Sequence, residues 1–130
     1  MRTLKTLIKF VLALFFVLAG VNHFISTDFY VRIMPAYLPL PLMLVYLSGA
    51  AEIALGALLI FRQWQRHAAW GLIALLIAVF PANIHMAVNH NLYPEYTPAA
   101  LWLRLPMQLI FIALCYWFTR PEMWTTGEQR

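Results

Sequence analysis

Residues 68–90 read "AAWGLIALLIAVFPANIHMAVNH". The first half carries neither charge nor polar side chain and suits hydrocarbon. The second half places Pro81, Asn83, His85, Asn89 and His90 in quick succession. A helix surrounded by lipid gains nothing from such residues. The stretch is therefore the ragged end of a span, a kink, or a site inside a bundle.

Composition settles that it is part of a span. Of 130 residues, 63% are hydrophobic and 11% charged, against about 25% charged in ordinary soluble domains. A chain this short has too little interior to hide so much apolar surface, so lipid is the solvent for much of it. Three more apolar runs accompany this one, giving spans at 7–24, 42–61, 68–88 and 101–118. Each is near the ~20 residues that cross a hydrocarbon core as a helix. None alternates polar with apolar as a barrel strand would. The expected fold is an all-α membrane protein, a four-transmembrane-helix bundle forming one domain over 1–130.

Charge orients the bundle. The net charge of +4 is not gathered into a patch, which excludes nucleic acid as the expected partner. Arg2, Lys5 and Lys9 precede the first span, Arg62 and Arg66 separate the second and third, and Arg120 and Arg130 follow the fourth. The positive-inside rule then places both termini in the cytoplasm. Trp64, Trp70, Trp102, Trp117 and Trp124 fall near span ends, where amphipathic rings settle. The first span also reads as a signal peptide, but its apolar run is long for one and no good A-x-A site follows. The link "RQWQRH" is tight and predicts a hairpin of the second and third spans. The longer, apolar link "STDFYVRIMPAYLPLP" predicts a short helix capped by Ser26 or Thr27 and ended by Pro35, lying as a flap on the outer mouth or in the interface.

Polar residues at membrane depth are costly and are functional candidates by default. Asn22 and His23 lie at the outer end of the first span, and Glu52 halfway along the second. Asn83 and His85 lie in the outer half of the third, Arg104 and Gln108 in the outer half of the fourth. Four helices thus bring polar groups to one layer. Ser48, Glu52 and Gly56 share a face, with Gly49 beside it, and small residues there let a neighbouring helix approach. Arg104 and Gln108 share a face that Cys115 continues. Asn83 and His85 stand about 200° apart on a regular helix. Both face one cavity only if Pro81 distorts the helix; otherwise His85 is the cavity residue and Asn83 faces a neighbouring helix. Glu52 and Arg104 are the natural opposite charges, forming either a structural ion pair or the two poles of a ligand or proton site.

Other chemistries are weaker. Cys115 is the single cysteine, so no C-x-x-C dithiol cycle is available, and a buried filler role is expected. No H-x-x-x-H or E-x-x-H spacing puts two ligands on one helix, and no metal site is expected. His23 and His85 on separate helices would be the haem or metal alternative. His67 and His90 lie in or beside links and are expected to be solvated.

The runs "AGVNHFISTDFYVRIMPAYLPLPLMLVYLSGAAEIALG", "AAWGLIALLIAVFPANIHMA" and "LRLPMQ" resemble the DoxX family of small bacterial membrane proteins, over about 17–115. The resemblance is nearest to its largely uncharacterised DoxX-like branch. It rests most on "SGAAEIALG" and "FPANIHMA", with matches at His23, Glu52, Asn83, His85, Arg104 and Gln108. It implies a four-helix bundle in the bacterial cytoplasmic membrane. It also implies association with quinone-linked or other membrane redox systems, with quinone as the cofactor so suggested. No catalytic motif of its own is legible in the chain. The expected function is a binding or accessory subunit of a membrane redox or envelope system, with a membrane protein partner or further copies of itself. The alternatives are a quinone-interacting oxidoreductase subunit and a small proton-coupled transporter, the latter weakened by the lack of an inverted repeat.

Overall fold

A computed structural model describes residues 2–34 and 38–120. Among them every regular element is helical: α1 (Arg2–Ile25), α2 (Thr27–Ile33), α3 (Pro41–Leu58), α4 (Gln65–Val88) and α5 (Pro98–Thr119), with a 3₁₀ turn at His90–Leu92. Helices α1, α3, α4 and α5 are long and apolar enough to cross a membrane. They match the four spans read from the sequence, with ends displaced by a few residues. Pro41 and Pro98 open α3 and α5, at the one helical turn where a missing N–H costs nothing. Thr97 caps α5, its hydroxyl accepting from the Ala100 N–H at 3.2 Å. Leu7, Leu14, Leu18, Leu103, Leu109 and Ile110 are all more than half exposed. Water does not tolerate so much contiguous apolar surface on a lone chain, whereas lipid does.

The main helix pairings are α1 with α3 and α4 with α5. The expected α3–α4 hairpin does form, with Leu55 against Gly71, but it is the lesser contact. Close approach explains the α1–α3 pair. A Cβ added at Gly20 would lie 2.7 Å from the Gly49 carbonyl oxygen and 2.9 Å from the Ile53 nitrogen. One added at Gly49 would lie 2.7 Å from His23 Cβ. Backbones touch here because neither residue has a side chain, which is how membrane helices gain dispersion contacts in the absence of a hydrophobic driving force. The small stripe around Glu52 was legible in the sequence; its counterpart Gly20 on α1 was not singled out.

Two apolar cores result. One joins α1, α4 and α5 through Leu12, Phe16, Leu72, Cys115 and Phe118. Cys115 is fully buried there, as a small filler should be. The other lies under α2 and gathers Ile33, Met86, Ala87, Tyr93 and Leu101. Helix α2 is held to the α4–α5 link by Arg32, whose guanidinium lies 5.3 Å from the Tyr93 ring centroid and pairs with the Glu95 carboxylate. That ion pair is exposed, so the ring packing contributes more than the charges do.

The capping expectation for α2 fails. Ser26 stands at the N-cap position, but its hydroxyl donates to Asn22 Oδ1 at 3.2 Å. The Thr27 hydroxyl donates back to the His23 carbonyl at 2.8 Å. Both hydroxyls serve the turn out of α1, so the N-terminus of α2 has no side-chain cap. Pro35, Tyr37, Trp124 and Arg130, which also entered the sequence reading, lie outside the described residues.

Tyr93 carries a testable consequence. Its hydroxyl donates to the Arg32 carbonyl at 3.4 Å. Burial pushes its phenol above the ordinary tyrosine range, with the Arg32 charge opposing more weakly. The neutral phenol is the form the fold favours. Its contribution to stability is therefore full below the unfolded value of about 10 and is lost as pH rises through the higher folded value. In an alkaline titration followed by tyrosinate absorbance, one phenol should ionise after the exposed ones, and Tyr93→Phe should remove that late step.

Candidate functional site

Where the two cores fail to join, a cavity of about 350 Å³ remains. Phe16 from one core and Ile33 from the other both line it. Every helix contributes. Helix α1 supplies His23, α2 Tyr30, α3 Ser48 and Glu52, α4 Asn83, and α5 Arg104 and Gln108, among walls of Phe15, Leu75, Leu76, Val79, Met107 and Phe111. Five of the seven polar residues placed by helix depth, His23, Glu52, Asn83, Arg104 and Gln108, thus line one cavity. They lie in the half of the bundle beneath α2.

The polar groups fall into three sets. The first is His23 with Glu52. The imidazole Nδ1 lies 2.9 Å from the Ala19 carbonyl and 3.5 Å from Glu52 Oε2. A carbonyl can only accept, so Nδ1 carries the proton and Nε2 is left as the acceptor in the neutral ring. The ring lies flat on Tyr30, centroids 4.0 Å apart and planes 14° from parallel. Asn22 holds Tyr30 in place by donating to its hydroxyl at 2.9 Å. The second set is an amide clamp: Asn83 Nδ2 donates to Gln108 Oε1, and Gln108 Nε2 donates to the Leu76 carbonyl. The clamp sits beside Pro81, which lacks an N–H and so leaves the Ile77 carbonyl without its intrahelical donor. The third is Arg104. Among the described residues its guanidinium meets Met86 Sδ at 4.0 Å and no carboxylate.

A family model for a domain of unknown function, DUF8561, matches residues 12–119. The chain belongs to that family. The DUF8561 stretch includes every residue that lines the cavity. No curated protein and no solved structure matches the chain.

Within the DUF8561 stretch the sequence candidates divide clearly. His23, Ser48, Glu52, Asn83, Arg104 and Gln108 line the cavity. The structural ion pair between Glu52 and Arg104 does not form: both line the cavity, and Glu52 instead faces His23. The order expected on α4 is reversed. Asn83 lines the cavity, whereas His85 turns away and its Nδ1 meets Asn89 Nδ2 at 3.2 Å. Helix α4 runs unbroken through Pro81, so the two side chains stay on different faces as regular geometry requires. Asn22 is exposed and lines a shallower groove above the cavity with Ser26, Phe29, Tyr30, Tyr96, Ala100 and Arg104. Ser48 spends its hydroxyl on the Val45 carbonyl of its own helix, at 3.0 Å. Tyr30 was read from the sequence as part of the apolar link, not as a wall of the site. Among the described residues no three His, Cys, Asp or Glu side chains gather to hold a metal.

Proposed function

We propose that this protein is a ligand-binding or accessory subunit of a membrane redox or envelope system. In this reading the cavity takes an anionic or carbonyl-bearing small molecule. One observation carries the reading: Glu52 and Arg104 line one cavity without meeting, so no ion pair between them closes it. Ionisable residues held at membrane depth are functional-site candidates by default. A mainly apolar cavity with a few convergent polar groups is also the usual form of a small-molecule site.

The wider setting belongs to the same proposal. The protein lies in the cytoplasmic membrane of a bacterium with both termini inside, by the distribution of Lys and Arg. Helix α2 acts as an outer flap over the cavity. The DoxX-like runs around Glu52 and Asn83 support a place beside membrane redox enzymes, with a quinone as one occupant of the cavity. A proton-coupled transporter is the lesser reading, favoured by the His23–Glu52 contact.

Ala82→Phe tests the site directly. Ala82 lines the cavity, and a phenyl ring there would fill part of it. Protein extracted gently from its own membranes should release a small molecule that mass spectrometry detects in wild type and not in Ala82→Phe. Equal release from both, or from neither, would remove the cavity as a binding site.

A further inference from the structure

The deep cavity and the groove above it share two walls, Tyr30 and Arg104. Their linings differ in kind. The deep cavity, about 350 Å³, is bounded chiefly by Phe15, Phe16, Leu76, Val79 and Phe111. The groove, about 460 Å³, has the polar side chains of Asn22, Ser26 and Tyr96 in its walls. Arg104 stands at the junction with five N–H donors, and among the described residues its side-chain hydrogen bond goes to a thioether, a weak acceptor 4.0 Å away. Charge-assisted hydrogen bonds to an acid are the strongest such a fork can make.

Building on the ligand-binding reading above, we infer that the two chambers hold one amphiphile, an acid on a single apolar chain. Its carboxylate or phosphate sits on Arg104 and its chain fills the deep cavity. Helix geometry and charge fix the direction. Arg104 is about two turns into α5 from Pro98, whereas Glu52 is about three turns into α3 from Pro41. Glu52 therefore lies deeper, and Arg104 is the one Lys or Arg among the described residues lining either chamber, so an acid finds its cation at Arg104 and none beyond it. The ligand's acid stops at Arg104, facing outward, and its apolar end passes beyond. Tyr30, held by Asn22 and stacked on His23, forms the wall along which the chain passes between the chambers.

The test uses the full chain in phosphatidylcholine nanodiscs, with palmitate, hexadecyl phosphate and hexadecanol as probes of equal chain length. Palmitate and hexadecyl phosphate should bind at least about tenfold tighter than hexadecanol, as expected for a charged hydrogen-bonded pair. Arg104→Gln should erase that preference while hexadecanol binding persists, which also reports that the variant is folded. Arg104→Lys should keep part of it, since a point charge replaces a fork. A preference that survives Arg104→Gln, or hexadecanol binding as tightly as palmitate, would overturn the inference. Replacing phosphatidylcholine by phosphatidylglycerol separates the two sources of the acid. Competition by this two-chain lipid would overturn the single-chain assignment, and indifference supports a free acid. If wild type releases a native molecule that Ala82→Phe lacks, yet binds neither acid, the cavity stands as a site and the acid assignment fails.

Discussion

Gly20→Leu is expected to force α1 away from α3 and to lower the stability of the bundle by ~1–3 kcal/mol, the usual range for overpacking a close contact. The upper end is the better estimate, because two of the three nearest atoms in the way are backbone and the third is Ile53 Cγ1, next to its own backbone. A Cβ at Gly20 already meets the Gly49 carbonyl oxygen at 2.7 Å and the Ile53 nitrogen at 2.9 Å, and neither can rotate aside. Leucine gains up to ~1 kcal/mol in helix propensity over glycine, which offsets only part of the loss. Gly20→Ala should show the same sign with a smaller effect. The damage should also reach the site. His23 follows Gly20 by less than one helical turn, and its 3.5 Å contact with Glu52 crosses the same interface. Unfolding of purified protein in mixed micelles measures the stability, and the small molecule released on extraction measures the site. A Gly20→Leu protein as stable as wild type would mean that the α1–α3 approach contributes little.

The four spans could be read from sequence because hydrocarbon makes a simple demand: about 20 apolar residues in a row. The layer of the site could be read for the converse reason, that a polar side chain inside a span has few acceptable places. Helix depth placed His23, Glu52, Asn83, Arg104 and Gln108, which line the cavity, but also Asn22 and His85, which do not; Ser48 came from helical phase. What the sequence leaves open is rotation and separation. Whether Asn83 or His85 faces the cavity depends on how α4 is turned against α5, and the amide clamp with Gln108 fixes that turn. Whether Glu52 meets Arg104 depends on the gap between α3 and α5, which neither helix specifies. Tyr30 escaped because its place depends on the turn at Ser26, where Asn22 and two hydroxyls redirect the chain over His23. That arrangement has no periodicity to betray it.

The amide clamp sets two residues that hold the fold apart from the rest of the cavity's polar lining. Asn83 and Gln108 line the cavity, yet each is already partnered, Gln108 on both sides of its amide. Gln108 is also buried, at 4% exposure, so water is not an alternative partner. Gln108→Leu should cost ~1–2 kcal/mol, since interhelical hydrogen bonds in membranes are worth about 0.6 kcal/mol on average, and up to about 1.7, and this change removes two. It also strands the Asn83 amide in the cavity. Adding Asn83→Leu should therefore cost less than the sum of the two single changes, and an unfolding double-mutant cycle measures the difference. The double variant, though weakened, should still bind an acidic amphiphile with its preference intact, because Arg104 is untouched. If instead the amide pair were the ligand's anchor, binding would vanish in the double variant while the loss of stability stayed small. Read with palmitate against hexadecanol, the two outcomes assign the clamp to the fold or to the site.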